Sequence, residues 1–290
     1  MKKIVFFSLL LIGVGLLFSP FLESAVIEAV KSRYILENYT AEQIADNAAE
    51  VDTAENIIEE DITVPELSDI LLYTSDIDRD QVIGGIAIAS VELYQPIFYG
   101  TTKASLLAGA GTMKSHQTMG KGNYCLAGHH MRDESLLFGP LLKVEIGDWI
   151  QLTDKTELFT YEVTQIEVVH QSDVGVLEDT GTPMITLITC DRTGVNTNYR
   201  LMVRGTLINI SQMGDGNAGK QEENEYLEVF RYLERNRKGI GTGWLWLWIF
   251  VVCIIAVILF GVGGEILKRS ERCRQIELIK DDIKIESKEL

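Results

Sequence analysis

Two long stretches without a charged side chain constrain the fold of this 290-residue chain more than any other feature. They cover residues 4–22 and 244–262, and each is 19 residues long. A helix needs about 20 apolar residues to cross the hydrocarbon core of a bilayer. Trp244, Trp246 and Trp248 crowd the start of the second stretch, as aromatic side chains do at a membrane interface. The pattern therefore predicts two transmembrane helices that flank whatever folds between them.

The first stretch has an alternative interpretation as a cleaved signal peptide. Its apolar run is longer than the roughly 7–15 residues usual for such a peptide. Residues 22–25 (LESA) also make a poor cleavage site, because the site needs small residues at fixed positions. An uncleaved membrane anchor is therefore the favoured interpretation.

The basic residues that flank the two stretches predict the orientation of the chain. Lys2 and Lys3 precede the first stretch, and four basic residues follow the second within residues 268–274. Positive charges favour the cytoplasmic side of a membrane. Both termini are therefore expected in the cytoplasm, and residues 23–242 outside the cell membrane.

The acidic residues of the chain are concentrated just after the first stretch. The formal net charge is −16, and residues 23–80 carry 16 acidic and only 3 basic side chains. Such a charge argues against a nucleic-acid-binding surface. The segment contains good helix formers, and Thr40 followed by Gln43 resembles a capping box. Two interpretations stay open: a solvated helical stalk, which is favoured, or a lid in which residues 62–73 cover a groove in the next domain.

The pattern changes to short β-like runs between residues 81 and 212. Residues 161–168 alternate between polar and apolar, as a half-buried strand should. Many short strands separated by Gly, Pro and Asp predict a mostly β domain with short helices, either a closed antiparallel β-barrel or a sandwich. Between Leu106 and Met119 there is room only for a short helix. The candidate strands are residues 82–89, 91–98, 123–127, 149–153, 159–169, 184–189 and 199–210.

These patterns divide the chain into six segments. The last of them carries apolar residues at helical spacing among mixed charges, which predicts a short amphipathic helix. The segments are an N-terminal membrane anchor (1–22), an acidic helical stalk or lid (23–80), a β domain (81–212), a linker (213–243), a second transmembrane helix (244–262) and a cytoplasmic tail (263–290).

The β domain contains one arrangement of residues that could carry nucleophilic chemistry. Cys190 ends an apolar candidate strand and is followed by a polar loop, a place where a rigid scaffold can present a reactive side chain. A nucleophilic cysteine needs a base or a cationic neighbour. His129 and His130 follow another strand, and Arg200 begins a third. The alternatives are a buried, inert cysteine, and histidines that lie at the surface or bind a metal.

Metal and cofactor sites are not expected in this chain. No CxxC or HExxH spacing is present, and these are the spacings that typically place zinc ligands together. Only Cys125 and Cys190 fall in the part predicted to lie outside the membrane, and the sequence does not show whether they pair.

Four motifs of the β domain together resemble one protein family. Residues 186–190 (TLITC) look like the TLxTC signature of sortases, the membrane-anchored cysteine transpeptidases of Gram-positive bacteria. Residues 126–129 (LAGH) resemble the histidine motif of that family, and residues 199–205 resemble the strand that carries its arginine. Residues 86–100 resemble its opening strands, so the match covers about residues 81–210 in the family's order.

The resemblance implies a closed β-barrel of the sortase type and specific roles for its residues. Cys190 would attack the threonine carbonyl of an LPxTG-like sorting signal and form a thioacyl-enzyme. His129 would protonate the leaving amine and then deprotonate the incoming one. Arg200 would hold the substrate or stabilise the oxyanion, and Thr189 would be a neighbouring substrate or oxyanion contact.

The choice among the histidines also follows from the resemblance. His129 is the first histidine after Ala-Gly, which is its position in the family motif. His130 is then expected at the edge of the pocket. His116 and His170 are expected in loops or at the surface.

The subclass of sortase is ambiguous in the sequence. Residues 109–114 and 122–124 resemble class A enzymes, whereas residues 194–197 and the second apolar stretch resemble pilin-polymerising class C enzymes. Residues 23–80 contain no Asp-Pro-aromatic motif, which class C lids usually bear. Some class A enzymes bind calcium through carboxylates before the histidine. The same stretch here has Lys114, Gln117 and Lys121, which predicts no calcium site.

The leading functional hypothesis is a transpeptidase that attaches LPxTG-bearing surface proteins to an amine of a peptidoglycan precursor. The first alternative is a pilin polymerase in which a pilin lysine is the acceptor. The others are a catalytically inactive barrel that serves as a binding module and a cysteine peptidase that uses water. The expected partners are therefore sorting-signal proteins or pilins, and the membrane.

Overall fold

A computed structural model describes residues 23–52, 65, 67–190 and 198–213, together with the isolated residues 13, 249 and 251. Apart from those three isolated residues, both predicted transmembrane helices fall outside the described part, as do residues 62–64 of the possible lid and residues 214–243 and 263–290. Among the described residues, no helix is long and apolar enough to cross a membrane. The described residues between 23 and 213 lie within one compact unit.

The described part of residues 81–212 forms a closed barrel with the strand order β1-β2-β3-β4-β7-β8-β6-β5. Seven of the strands lie close to the runs expected from the alternation of apolar residues. The strands are β1 (Val82–Ile88), β2 (Leu93–Phe98), β3 (Ala110–Thr112), β4 (Asn123–Ala127), β5 (Trp149–Thr153), β6 (Glu157–His170), β7 (Met184–Cys190) and β8 (Tyr199–Gln212).

The barrel is mixed, which corrects the expectation of a purely antiparallel one. β2 pairs with β3 in parallel, and so does β4 with β7, while the other neighbouring strands are antiparallel. Parallel neighbours require a crossover connection. The connection from β2 to β3 contains the helix Lys103–Leu106, and the connection from β4 to β7 passes through β5 and β6. The second crossover lets β4 and β7 run in the same direction, so the residues after both strands emerge at the same end of the barrel.

Strand β3 is the element that the sequence pattern missed, since only a short helix was expected there. It consists of three small residues, Ala-Gly-Thr, and has no apolar alternation. A side chain at Gly111 would place its Cβ 2.3 Å from the carbonyl oxygen of Gly100. The close approach of two backbones, rather than side-chain pattern, therefore selects this sequence.

The helices of the described part are short. The Thr40 capping box is present, because the Thr40 amide donates to Gln43 Oε1 (2.8 Å) and the Gln43 amide donates to Thr40 Oγ1 (3.1 Å). Residues 23–31 are helical. The other α-helices are Ala41–Asp52, Leu67–Tyr73 and Lys103–Leu106, and the 3-10 turns are Leu36–Asn38, Arg79–Gln81, Ala89–Val91, Gly139–Lys143 and Val174–Leu177.

The main core fills the interior of the barrel. Alternate residues of each strand point inward and are buried, so each strand contributes one face to the core. Representative members are Ile86, Ile97, Leu126, Ile150, Tyr161, Ile185, Leu187 and Val203.

The described part of residues 23–80 packs on the outside of the barrel. Leu36 and Ile44 bury against Tyr94 and Phe98, which point outward from β2. The ammonium of Lys155 donates to the backbone carbonyls of Leu36 and Tyr39. Apolar side chains on both partners lose contact with water in this arrangement, which stabilises it. These side chains are therefore not solvated, while the role of residues 23–80 as a stalk or a lid stays a prediction.

The helix Leu67–Tyr73 packs elsewhere on the barrel. Ile70 and Tyr73 belong to a small apolar cluster with Ile27, and the other members follow the histidine motif or precede β3. Those members are Leu107, Met131, Leu136 and Leu137. The described half of the possible lid thus contacts the loop after β4. Whether residues 62–73 cover a groove stays a prediction.

Candidate active site

The candidate site lies on the outward face of three neighbouring strands, β4, β7 and β8. Their pairing aligns side chains into rows across the sheet. Residues Ala127, Ile188 and Met202 form what we call the middle row, because Ala127 pairs with Ile188 and Ile188 pairs with Met202. Two residues nearer the end of β7, Cys190 pairs with Arg200. We call these two residues and His129, which follows β4 by two residues, the end row. Two residues from the middle row in the opposite direction, the register gives a lower row of Cys125, Thr186 and Arg204.

Cys190 occupies the centre of the end row. It is the last residue of β7, it forms no disulfide with another described cysteine, and only 4% of its surface is exposed. Its direct partner across the antiparallel β7–β8 pair is Arg200. Side chains of directly opposed residues lie on the same face of a sheet, so the thiol and the guanidinium belong to one surface.

His129 follows β4 by two residues and is 3% exposed. Because β4 and β7 are parallel and Ala127 pairs with Ile188, the continuation of this register places His129 alongside Cys190. Burial lowers the pKa of His129 to about 4. The imidazole is therefore neutral near pH 7 and can accept a proton. Its Nδ1 atom has no hydrogen-bond partner among the described residues.

The backbone on either side of His129 is held by specific contacts. The Thr189 hydroxyl donates to the Gly128 carbonyl oxygen (2.8 Å), and the Gly128 amide donates to the Ile188 carbonyl (3.1 Å). The ring of Phe138 packs so closely that a Cβ on Gly128 would lie 2.6 Å from it. The Phe138 amide donates to the carbonyl oxygen of His129 itself (2.9 Å). Thr189 therefore contacts the backbone that carries the histidine, and its role as a substrate contact stays a prediction.

Arg200 forms the third part of the end row. Its Nη1 donates to the Tyr199 carbonyl oxygen and its Nη2 donates to Gln171 Oε1, both at 3.0 Å. The amide of Gln171 in turn donates to the Asn198 carbonyl (2.8 Å). Gln171 is thus a neighbour of the site that sequence reasoning missed. The only signal for it was a polar residue directly after a long strand.

The remaining histidines lie away from the centre of the row. His130 is half-buried and forms an isolated β-bridge with Leu137. His116 is exposed in the loop between β3 and β4. His170, also exposed, ends β6, where its ring contacts the edge of Tyr199.

The end row combines a thiol, a neutral imidazole and a guanidinium on adjoining strand ends. A thiol next to a base can be activated as a nucleophile, and the protonated base can then act as a general acid. A fixed cation beside them can stabilise negative charge that develops on a carbonyl oxygen. The arrangement therefore defines a candidate site for cysteine-based acyl transfer.

Comparison with known proteins shows to which family this chain belongs. Residues 86–208 match the family model of the sortase domain. A sortase A of Listeria monocytogenes is 39% identical over 227 residues, which cover 78% of this chain and 98% of that protein. A sortase A of Bacillus anthracis is 40% identical over 147 residues, covering 51% of this chain and 69% of that protein. The chain belongs to the sortase family, and this membership supports a sortase transpeptidase activity.

A solved structure agrees with the fold. Sortase C-3 of Streptococcus pneumoniae aligns with a TM-score of 0.50, covering 70% of this chain and 97% of that one. Its sequence identity is 20%, so the likeness concerns the fold alone.

Proposed function

We propose that this chain is a membrane-anchored cysteine transpeptidase that cleaves LPxTG-type sorting signals and transfers the protein to a peptidoglycan amine. One observation carries the proposal most directly. Cys190 pairs directly with Arg200, and His129 follows β4, the parallel neighbour of β7, by two residues, although the three come from separate sequence motifs. Family membership supports the class of reaction, and the two relatives reported above are both named sortase A.

The first half of the proposed reaction forms a thioester. Neutral His129 takes the thiol proton, and Cys190 Sγ attacks the carbonyl carbon of the threonine in the sorting signal. The carbonyl oxygen becomes an oxyanion, which the Arg200 guanidinium stabilises. The carbon–nitrogen bond then breaks, and the imidazolium of His129 gives its proton to the departing amine. The products are a thioacyl-enzyme, a free amine and a neutral imidazole.

The second half transfers the acyl group. An incoming amine attacks the thioester carbon, and His129 accepts the proton that this amine loses. The carbon–sulfur bond breaks and Cys190 leaves as a thiolate, which recovers the proton from His129. A new amide bond replaces the one that was cleaved, so the enzyme returns to its starting state with no net change in charge.

The membrane location belongs to the same proposal. Residues 4–22 and 244–262 are long enough and apolar enough to cross a bilayer, and their basic flanks favour cytoplasmic termini. This topology would place the end row outside the cell, where both the sorting signal and the peptidoglycan precursor are found.

The acceptor amine decides between two forms of this activity. Residues 194–197 and the second apolar stretch resemble class C enzymes, so a pilin lysine is the competing acceptor. The purified full-length protein should be incubated with an LPxTG peptide, with and without triglycine or a lysine peptide from a pilin. The expected result is transfer to triglycine that outcompetes hydrolysis, and transfer to lysine alone would favour the polymerase.

The same assay contains its own negative control. A Cys190→Ala variant should neither cleave the peptide nor form a thioacyl adduct. If the unmodified protein never cleaves the peptide, both transpeptidase forms are wrong and the inactive binding module gains support. If cleavage occurs but neither amine diverts the product, the chain is a peptidase that uses water.

A further inference from the structure

The lower row has a second set of contacts, directed at the loop between β6 and β7. Arg204 Nη2 donates to the Val176 carbonyl oxygen at 2.8 Å. Its Nε donates to Thr186 Oγ1 (3.3 Å), and its Nη1 donates to Gln165 Oε1 (3.2 Å). The guanidinium is therefore fixed from two directions by the barrel while one arm binds the loop. A planar group with five donors is suited to this bridging role.

Asn123 binds the same loop from strand β4. Its buried Nδ2 donates to the carbonyl oxygens of both Val176 and Glu178, each at 3.1 Å. Its own Oδ1 accepts from the Thr186 hydroxyl at 2.7 Å, which fixes the orientation of the amide. The three side chains Asn123, Thr186 and Arg204 thus form one connected network.

Three further contacts complete the attachment of the loop. The thiol of Cys125 donates weakly to the Leu177 carbonyl at 3.7 Å. The Asp179 carboxylate accepts from the Asn123 amide at 2.8 Å and from Lys114 Nζ at 2.9 Å. All four residues from Val176 to Asp179 are therefore hydrogen-bonded to side chains or backbone outside the loop. The first three are bonded through their main-chain carbonyls. Because the contacts are to backbone, they fix the path of the loop and not its side-chain identity.

The path of this loop connects the two rows. It begins beside the end row, where Gln171 accepts from Arg200, and it reaches the lower row at residues 176–179 before β7 starts at Met184. Residues 172–175 lie between these attachments. Val174 lies in this span, and its side chain is 69% exposed. The loop is therefore bonded to Arg200 at one end and to Arg204 of the lower row at the other.

We propose that Asn123 and Arg204 are positioning residues for substrate selection, because they hold the loop 171–183 against strands β4, β7 and β8. We call these two side chains the clamp. This inference rests on the proposed function, since a sorting signal attacked by Cys190 would lie beside Arg200, where the loop begins at Gln171. The side-chain hydrogen bonds described above for Asn123 and Arg204 go to the loop, Thr186 and Gln165 and not to the end row. Loss of the clamp is therefore expected to affect binding and selectivity, not the bond-breaking step.

The test compares three variants of the full-length protein purified in detergent. Arg204→Met removes every donor at nearly constant length, and Arg204→Lys restores one donor and the charge. Gln212→Met is the matched control, because Gln212 lies on the same strand and bonds only Glu157 among the residues described here. Steady-state kinetics are measured with an LPxTG peptide and with one in which alanine replaces the leucine. Hydrogen exchange of residues 172–180 reports whether the loop has been released.

The expected result is a split between binding and turnover. Arg204→Met should raise KM for the LPxTG peptide about tenfold, the size expected for a lost hydrogen bond to a charged group, and leave kcat within about twofold. Its preference for leucine over alanine should fall at least about threefold, and exchange in the loop should become faster. Arg204→Lys should recover part of each effect, and Gln212→Met should resemble the unmodified protein. Asn123→Ala should follow Arg204→Met.

Two results would overturn the inference. One is faster exchange in the loop with unchanged KM and selectivity, which would make the lower row a structural anchor only. The other is unchanged exchange, which would mean that these side chains do not hold the loop. Failure of the proposed function gives a different outcome, because the unmodified protein would then cleave neither peptide while the exchange measurement would still test the clamp.

Discussion

The end row and the lower row are built from the same three strands, and each contains a cysteine and an arginine. Cys190 and Arg200 lie in the end row. In the lower row, Cys125 lies four residues before His129, and Arg204 lies four residues after Arg200. The presence of a cysteine and an arginine therefore does not distinguish the two rows. What differs is where along the strand each cysteine falls and which groups surround it.

The surroundings of Cys125 make it a poor nucleophile. Burial raises its pKa to about 11, the Asp179 carboxylate adds to the rise, and the nearby Lys114 and Arg204 cations oppose it. Its thiol donates to the carbonyl oxygens of Asn123 and Leu177, so the loop covers it. A thiol with such a pKa is protonated near pH 7, whereas the nucleophile is the thiolate. Cys190 lies instead at a strand end, where a histidine follows the neighbouring strand.

The largest expected difference between the rows is the effect of removing each cysteine. Cys190→Ala should abolish cleavage of an LPxTG peptide, a loss of at least about a thousandfold, because no other group can form the thioester. Cys125→Ala should retain activity within about threefold, since it removes only a weak donor to the loop. Peptide cleavage followed by chromatography checks both. Equal losses would show that the two rows are not functionally distinct.

The base of the end row should have the next largest effect. His129→Gln keeps a polar side chain of similar size but cannot transfer protons, so kcat should fall on the order of a thousandfold. His130→Gln is the matched control and should fall less than about fivefold. Stopped assays over pH 5–9 measure both. The proposed roles would be contradicted if the His130 variant lost more activity than the His129 variant.

Replacement of Arg200 and replacement of Arg204 should change different kinetic parameters. Arg200→Met should lower kcat about a hundredfold, because the oxyanion loses its cationic partner. Arg204→Met should mainly raise KM, as argued for the loop. Thermal unfolding of both variants controls for loss of fold. A kcat loss of the same size in the Arg204 variant would place both arginines in one functional unit.

Gly128, which precedes His129, should tolerate an added methyl group less well than Gly175 in the loop. Gly128→Ala adds a Cβ at 2.6 Å from the Phe138 ring, so the free energy of unfolding should fall by about 1–3 kcal/mol. Activity should fall as well, because His129 is carried by the next residue. Gly175→Ala in the clamped loop is the control, since its Cβ would meet only the Asp173 carboxylate at an ordinary 3.4 Å. Chemical denaturation measures the difference, and equal stability of the two variants would contradict it.

The last expected effect is a pH dependence of the free energy of unfolding, which arises from His129. Its pKa in the folded protein is about 4, below the ordinary 6.5, so the unfolded chain binds more protons between these values. The stability associated with the neutral imidazole is complete above about pH 6.5 and is lost as the pH falls towards 4. The stability gap between pH 7 and pH 4.5 should therefore shrink in His129→Gln. An identical gap in both proteins would show that burial does not hold this imidazole neutral.

The sequence predicted the end row better than the lower row, and the reason is physical. Cys190 ends one strand with a visible apolar pattern, Arg200 begins another, and His129 follows a third. The motifs that resemble those of sortases then single out these three residues. Asn123 and Arg204 bind main-chain carbonyls of a loop, and carbonyl acceptors leave no mark in the side-chain sequence. The clamp therefore becomes visible only when the loop's path is known.

The same distinction applies to the fold. Strands of five or more residues with apolar alternation were predicted, whereas β3 was not, because three small residues carry no periodic signal. The parallel pairing of β4 with β7 was also not predicted, since strand direction depends on long-range connections. The packing of Leu36 on the barrel was hidden by the acidity of residues 23–80, which suggested a solvated segment.

The most direct test of this account asks which cysteine the substrate modifies in the unmodified protein. Full-length protein is mixed with an LPxTG peptide, quenched in acid to preserve thioesters, digested and mapped by mass spectrometry. The expected result is a mass increase, due to a thioacyl adduct, on the proteolytic peptide that contains Cys190 and none on the peptide that contains Cys125. An adduct on Cys125, or equal labelling of the two cysteines, would contradict the central claim that position at the strand end makes the nucleophile.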